Sequence, residues 1–323
     1  MSGKNTSRCV LISVVAATSS AWAGEAAYPV RAIRMIVPST PGGVTDVAAR
    51  AVADVMRELL GNPVVIDNRP GAAGRFAAEL AARAPSDGHT LFVPNGSAFS
   101  IASAMDKSLP YDVLRDFDSV SLLAELPGVL AVHPSVPARS VADLVAIARS
   151  QPGKLGLSTS GIGSGGHVVA LRMGSISKIE FLHVPYKGEA QALIDTVGGQ
   201  VPIVIGSAIK PYVDSGRLRP IAGLGRVRSI HFPDLPTLIE QGYPGVFQVS
   251  WNGVSVPKGT ASPVIAKLNQ VINASLKSPR IVKVMADNGF TITGGNPSKM
   301  ADWVESEIER YRAIVAEYNI PKN

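Results

Sequence analysis

Apolar residues recur at two spacings along this chain, and the alternation between them outlines a fold. Ile33-Arg34-Met35-Ile36-Val37 is an apolar run of strand length, followed by Pro38-Ser39-Thr40-Pro41-Gly42-Gly43. Directly after it, Ala48, Val52, Val55, Met56 and Leu59 recur every three or four residues, with Arg50, Asp54, Arg57 and Glu58 between them. That spacing predicts an amphipathic helix, stopped by Gly61 before Pro63. The unit repeats: a strand at 64–67, a glycine-rich turn at 68–74 and an alanine-rich helix to about residue 84. A third strand at 90–93 stops at Pro94-Asn95-Gly96-Ser97. Strands alternating with helices predict a parallel sheet whose ligands bind beyond the carboxyl ends of the strands, so three small polar turns would line one rim.

Between residues 111 and 133 the pattern changes. Two apolar runs, 117–124 and 129–132, flank Glu125-Leu126-Pro127-Gly128, and the first crossing between two lobes is placed here. Ser140 caps a helix to residue 148, and a second series of strands follows at 154–159, 180–184, 201–205 and 218–223. The return crossing is expected at 223–228. Helices at 263–276, 279–288 and 297–318 each begin with proline in or near the first turn, where its missing amide costs little. The predicted architecture is α/β and two-lobed: residues 24–125 and 226–323 in lobe 1, 126–225 in lobe 2, and a ligand cleft between them.

The first 23 residues read as an export signal. Lys4 and Arg8 precede a short apolar stretch, and Ala21-Trp22-Ala23 is a cleavage site. The stretch is too short to span a bilayer. Cys9, the one cysteine, lies inside it, so the mature chain offers no disulfide and no thiolate ligand. A periplasmic location follows as the expectation. Beyond residue 23 the chain carries 29 Lys and Arg against 25 Asp and Glu, a mild excess with no dense basic tract, which argues against nucleic acid as a partner.

A second glycine loop, Ser158-Thr159-Ser160-Gly161-Ile162-Gly163-Ser164-Gly165-Gly166-His167, again lies between a strand and a helix. Its glycines match G-x-G-x-x-G in form, but no acid ends the next strand to hold a ribose. Ser164 lacks the G-x-S-x-G context of a hydrolase elbow, and no lysine follows the glycines as in a phosphate-binding loop. The five histidines show no metal-ligand spacing. What remains are hydroxyls and free amides at two helix starts. These describe either a clamp for a small anion or simply two tight turns.

Ordered markers along the chain resemble those of the substrate-binding proteins of tripartite tricarboxylate transporters, the Bug family. They include Pro38…Gly42-Gly43…Asp46, Asn68-Arg69-Pro70-Gly71, Asp87-Gly88-His89-Thr90-Leu91, Val184-Pro185-Tyr186-Lys187-Gly188 and Gly198-Gly199-Gln200-Val201. The resemblance implies a type II periplasmic binding protein without catalytic activity, cofactor or metal. It would be a monomer that closes on a small carboxylate and delivers it to membrane transporter subunits. A sensory receptor docking on a membrane kinase is the alternative, and an enzyme on the same fold a more distant one. Carried over, the ligand-binding residues are Ser39, Thr40, Gly42, Gly43, Thr45, Asp46, Arg75, Asn95, Ser97, Ser160, Gly163, Ser164, His167 and Ser207. Three features depart from the family pattern. Ser39 stands where an aromatic is usual, Arg75 where an asparagine is usual, and Pro202 where an acid usually follows Gly-Gly-Gln-Val. Arg75 is expected to reach into the cleft toward a second ligand carboxylate, or else to lie in water. Which carboxylate binds is left open.

Overall fold

The computed structural model describes residues 28–106 and 108–320, so the expected export signal, with Cys9, lies outside it. In chain order the first elements are β1 (Ile33–Val37), α1 (Val44–Leu60), β2 (Val64–Asn68), α2 (Arg75–Ala82) and β3 (Thr90–Phe92). A wide helical turn at Ser97–Ile101 runs into α3 (Ala102–Met105), and α4 (Val113–Asp116) leads into β4 (Phe117–Pro127). Then come β5 (Val129–Val132), α5 (Val141–Ser150), β6 (Gly156–Thr159), α6 (Gly165–Ser177), β7 (Leu182–Pro185), α7 (Glu189–Val197), β8 (Ile203–Gly206), α8 (Lys210–Asp214) and β9 (Arg219–Gly223). The chain ends with β10 (Val249–Pro257), α9 (Ser262–Ser275), α10 (Pro279–Asp287), β11 (Thr291–Ile292) and α11 (Pro297–Glu317). Local signals hold where expected. Gly61 closes α1 at φ 67°, its amide donating to Arg57 O at 3.1 Å. Ser140 Oγ accepts the Asp143 amide at 3.1 Å and caps α5.

The strands form two sheets, β11-β4-β10-β3-β1-β2 and β7-β6-β8-β5-β9. Neither is wholly parallel, which corrects the sequence expectation. In the first sheet β10 runs antiparallel to β3 and β4; in the second, β5 runs antiparallel to β8 and β9. Each of these reversed strands is the one that has just arrived from the other sheet. β4 leaves at its carboxyl end and becomes β5 after the single residue Gly128. A strand entering at the carboxyl rim must run backwards along the sheet, so the two carboxyl rims face each other across a cleft.

The chain passes from the first sheet to the second at Gly128, between β4 and β5. Leu224, Leu238, Tyr243 and Val246 pack with Leu130, Leu157 and Ile205 of the second sheet, and the chain rejoins the first sheet only at Val249. The stretch between is stapled onto the second sheet by Gly223 N to Pro236 O at 3.0 Å and Leu238 N to Gly223 O at 2.9 Å. The crossings bond to each other: Gly128 N donates to Gln248 O, Gln248 N to Leu224 O and Leu224 N to Gly128 O, all within 2.8–2.9 Å. The Gln248 side-chain carbonyl lies where a Cβ on Gly128 would sit.

Separate apolar cores cover the faces of each sheet. One lies between the first sheet and α1, α9 and α10, another between that sheet and α2 and α11. A smaller cluster joins the lobes: Ala104 and Met105 of α3 and Tyr311, Ile314 and Val315 of α11 pack against Val168 and Leu171 of α6. This contact closes one side of the cleft.

Candidate functional site

The turn between β1 and α1 is braced from inside. Asp46 is 1% exposed, and its carboxylate accepts the Gly42 amide at 2.8 Å, Asn68 Nδ2 at 2.7 Å and Arg50 Nε at 2.8 Å. Burial opposes its ionisation, but these hydrogen bonds outweigh it and hold the carboxyl below the usual carboxylate range. Asp46 therefore braces the loop from beneath. The Gly43 amide is also taken, donating to Thr40 O at 3.0 Å. Gly43 has an ordinary extended backbone at φ −70°. The two glycine amides expected to receive an anion are thus bonded within the turn. The open donors lie one step further on: α1 has no side-chain cap, and the amides of Val44, Thr45 and Asp46 have no protein acceptor among the described residues.

Around these amides the polar groups converge. Thr45 Oγ1 accepts Asn252 Nδ2 at 3.1 Å and, more weakly, Asn95 Nδ2 at 3.4 Å, leaving its own proton to give. Asn95 Oδ1 holds the Ala98 amide at 2.9 Å, at the start of the turn that contains Ser97. Ser39 Oγ is buried beside Gly43 and has no hydrogen-bond partner among the described residues, while Thr40 is exposed. Asn252, on the returning strand β10, was not expected from the sequence. Arg75 does not join this group. Its guanidinium, 31% exposed, pairs with Asp106 at 2.5 Å and with Ala72 O at 3.2 Å.

The second clamp begins at the end of β6. Ser164 caps α6, its Oγ accepting the His167 amide at 3.3 Å, and the amides of Gly165 and Gly166 have no protein acceptor among the described residues. Ser160 is exposed at the loop entrance. Gly163 N donates to His167 Nδ1 at 3.0 Å, so the neutral ring carries its proton on Nε2. That ring stacks on His183, centroids 4.1 Å apart and planes within 8°. His183 Nε2 meets Thr159 Oγ1 at 2.7 Å. Burial lowers the pKa of both, and the proximity of His167 takes His183 to about 4. Two stacked imidazoles, one of them accepting an amide hydrogen, orient the glycine loop only while neutral.

A pH dependence follows. The unfolded chain takes up these protons near the ordinary histidine value of about 6.5, before the folded one does. Stability contributed by the pair is present above that value and is lost as the pH falls toward 4. The melting temperature is expected to drop between pH 7 and pH 5, and His183→Phe, which keeps a stacked ring without titrating, is expected to flatten that drop. An unchanged slope would remove the histidine pair as its cause.

The clamps meet through contacts across the lobes. A Cβ at Gly163 would strike Met105, and Gly165 packs against Gln248 and Tyr311. At the end of β8, Ser207 Oγ lies 3.0 Å from Ser250 Oγ of β10 and accepts Gln248 Nε2 at 3.2 Å. The Ser207 amide donates to Glu189 Oε1, a residue that carried no signal in the sequence.

Residues 48–320 match the family described as tripartite tricarboxylate transporter family receptor. Protein BugT of Bordetella pertussis is 36% identical over 297 residues, covering 90% of each chain. A Rhodopseudomonas palustris protein solved with adipate superposes with a TM-score of 0.84 at 34% identity, covering 91% of this chain and 99% of its own. MatC from the same organism, solved with bound malate, superposes at 0.79 with 31% identity, covering 89% and 100%. The two-sheet fold, the facing rims and these matches agree: the chain belongs to the tripartite tricarboxylate transporter receptor family of two-lobed solute-binding proteins.

Proposed function

We propose that this chain is a periplasmic receptor that closes its lobes, divided at Gly128 and Gln248, on a small carboxylate and delivers it to the membrane subunits of its transporter. The observation that carries the reading is the pair of helix starts on facing rims with open amides: Val44, Thr45 and Asp46 on one lobe, Gly165 and Gly166 on the other. Such amides, with the positive ends of two helix dipoles behind them, favour an anion. The unpartnered Ser39 hydroxyl and the donating Thr45 and Ser164 hydroxyls add direction. Relatives solved with adipate and malate support a carboxylate as the anion. The role read here is binding, in keeping with the receptor family to which the chain belongs.

A thermal-shift screen of residues 24–323 against mono-, di- and tricarboxylates, amino acids and aromatic acids tests this. A ligand at a hundred times its Kd stabilises the folded state by about 2.7 kcal/mol. For a chain of this size that is a rise of roughly 4 °C in Tm. Shifts produced only by cations or neutral sugars would sink the anion clamp.

A further inference from the structure

We infer that Glu189 makes one end of the cleft negative, so that the receptor takes ligands with a carboxylate at one end and an ammonium or other hydrogen-bond donor at the other, and discriminates against dicarboxylates. This rests on the carboxylate reading above and narrows it.

Glu189 is the first residue of α7, and α7 starts at the same carboxyl rim as α6. From there its side chain reaches the end of β8, where Oε1 accepts the amides of Ser207 and of Ala208, the latter at 2.6 Å. A Cβ on Gly206 would overlap that same oxygen, so the glycine leaves the carboxylate room to lie along the strand end. Two adjacent backbone amides at a strand end are themselves an anion site. Here the chain fills it with its own carboxylate. Ser207 touches Ser250 and Gln248 on the returning strand, so this filled site lies where the lobes meet.

The second observation concerns charge. The anion is half-buried, yet no Lys, Arg or His forms an ion pair with it among the described residues. Burial pushes its carboxyl above the usual range, with the two amides opposing. Oε2 takes no hydrogen bond from any described residue. A carboxylate removed from water without a cation is costly unless something pairs with it. Glu189 Oε2, unbonded and open to solvent, is free to take a donor from a ligand. A second ligand carboxylate there would face a like charge, and like charges brought together in an interface are strongly disfavoured.

The test uses pairs of equal length that differ at one end, succinate against beta-alanine and glutarate against gamma-aminobutyrate, titrated calorimetrically into wild type and Glu189→Gln. Glutamine keeps an oxygen for the two amides, so the strand end stays tied while the charge goes. Wild type is expected to bind the amino member of the preferred length at least about tenfold tighter, a difference of about 1.4 kcal/mol. Glu189→Gln is expected to lose that preference, the dicarboxylate gaining and the amino acid losing affinity. A wild type that prefers the dicarboxylate, or a ratio unchanged in the variant, overturns the assignment while the carboxylate reading stands. If no acid of any kind binds either protein, the carboxylate reading fails and this one with it.

Discussion

Gly163→Ala is expected to weaken ligand binding by about a hundredfold, equivalent to about 2.7 kcal/mol, and Met105→Ala in the same chain is expected to recover most of it. Gly163 has φ 75°, a conformation that costs an L-residue roughly 1 kcal/mol or more. The larger effect is steric. A Cβ would enter the volume held by the Met105 side chain of the other lobe. Either Met105 withdraws and opens the inter-lobe cluster, or the glycine loop shifts and its amide leaves His167 Nδ1. Both outcomes separate the two sets of helix-start amides from the distance at which one anion meets both. Shortening Met105 removes the collision but leaves the backbone penalty, so the rescue should be incomplete. Calorimetry with the acid giving the largest thermal shift provides the measurement. Wild-type affinity in Gly163→Ala, or no rescue by Met105→Ala, would show that this contact does not set the cleft.

The elements built from local signals could be read from the sequence. Helix α1 has its apolar stripe, its glycine stop and its proline beyond, all within twenty residues, and α9, α10 and α11 begin at prolines that fix the first turn. Strand direction could not be read, because a period of two residues is the same run forwards or backwards. The reversed strands β5 and β10 come instead from the facing of the rims. β10 was also hard to see as a strand. It is buried on both faces, so Ser250, Asn252 and Ser255 interrupt its apolar pattern, and Asn252 finds its partner in Thr45, 207 residues away. The same distance problem hid the fate of the charged residues. A first-turn acid such as Asp46 suits a helix start whether it faces a ligand or braces a loop, and only the fold shows that Asn68 and Arg50 enclose it. Arg75 found Asp106, the residue that closes α3. Glu189 looked like an ordinary first-turn glutamate until β8 came to lie beside it.

Asp46→Ala is expected to destabilise the folded chain by about 2–4 kcal/mol, the range for leaving several buried donors without their charged acceptor. The Gly42 amide, Asn68 Nδ2 and Arg50 Nε all lose a partner at once. Arg50 is half exposed and water will rescue it, which keeps the estimate below that for a fully buried pair. Asn68 also donates to Ser39 O, so the loss loosens the loop on the side where Ser39 approaches Gly43. Ligand affinity should therefore fall together with stability, and Asp46→Asn, which keeps one acceptor oxygen, should fall less in both. The pH response carries the same signature. Because the carboxyl is held below its unfolded value of about 3.9, its contribution is complete above that value and is lost as the pH falls through the lowered folded value. The acid limb of the wild-type melting curve should accordingly be steeper than that of Asp46→Ala. If instead Asp46→Asn loses affinity with no change in Tm or in the acid limb, Asp46 contacts the ligand directly, and the amides of Gly42 and Gly43 would have to turn outward with it.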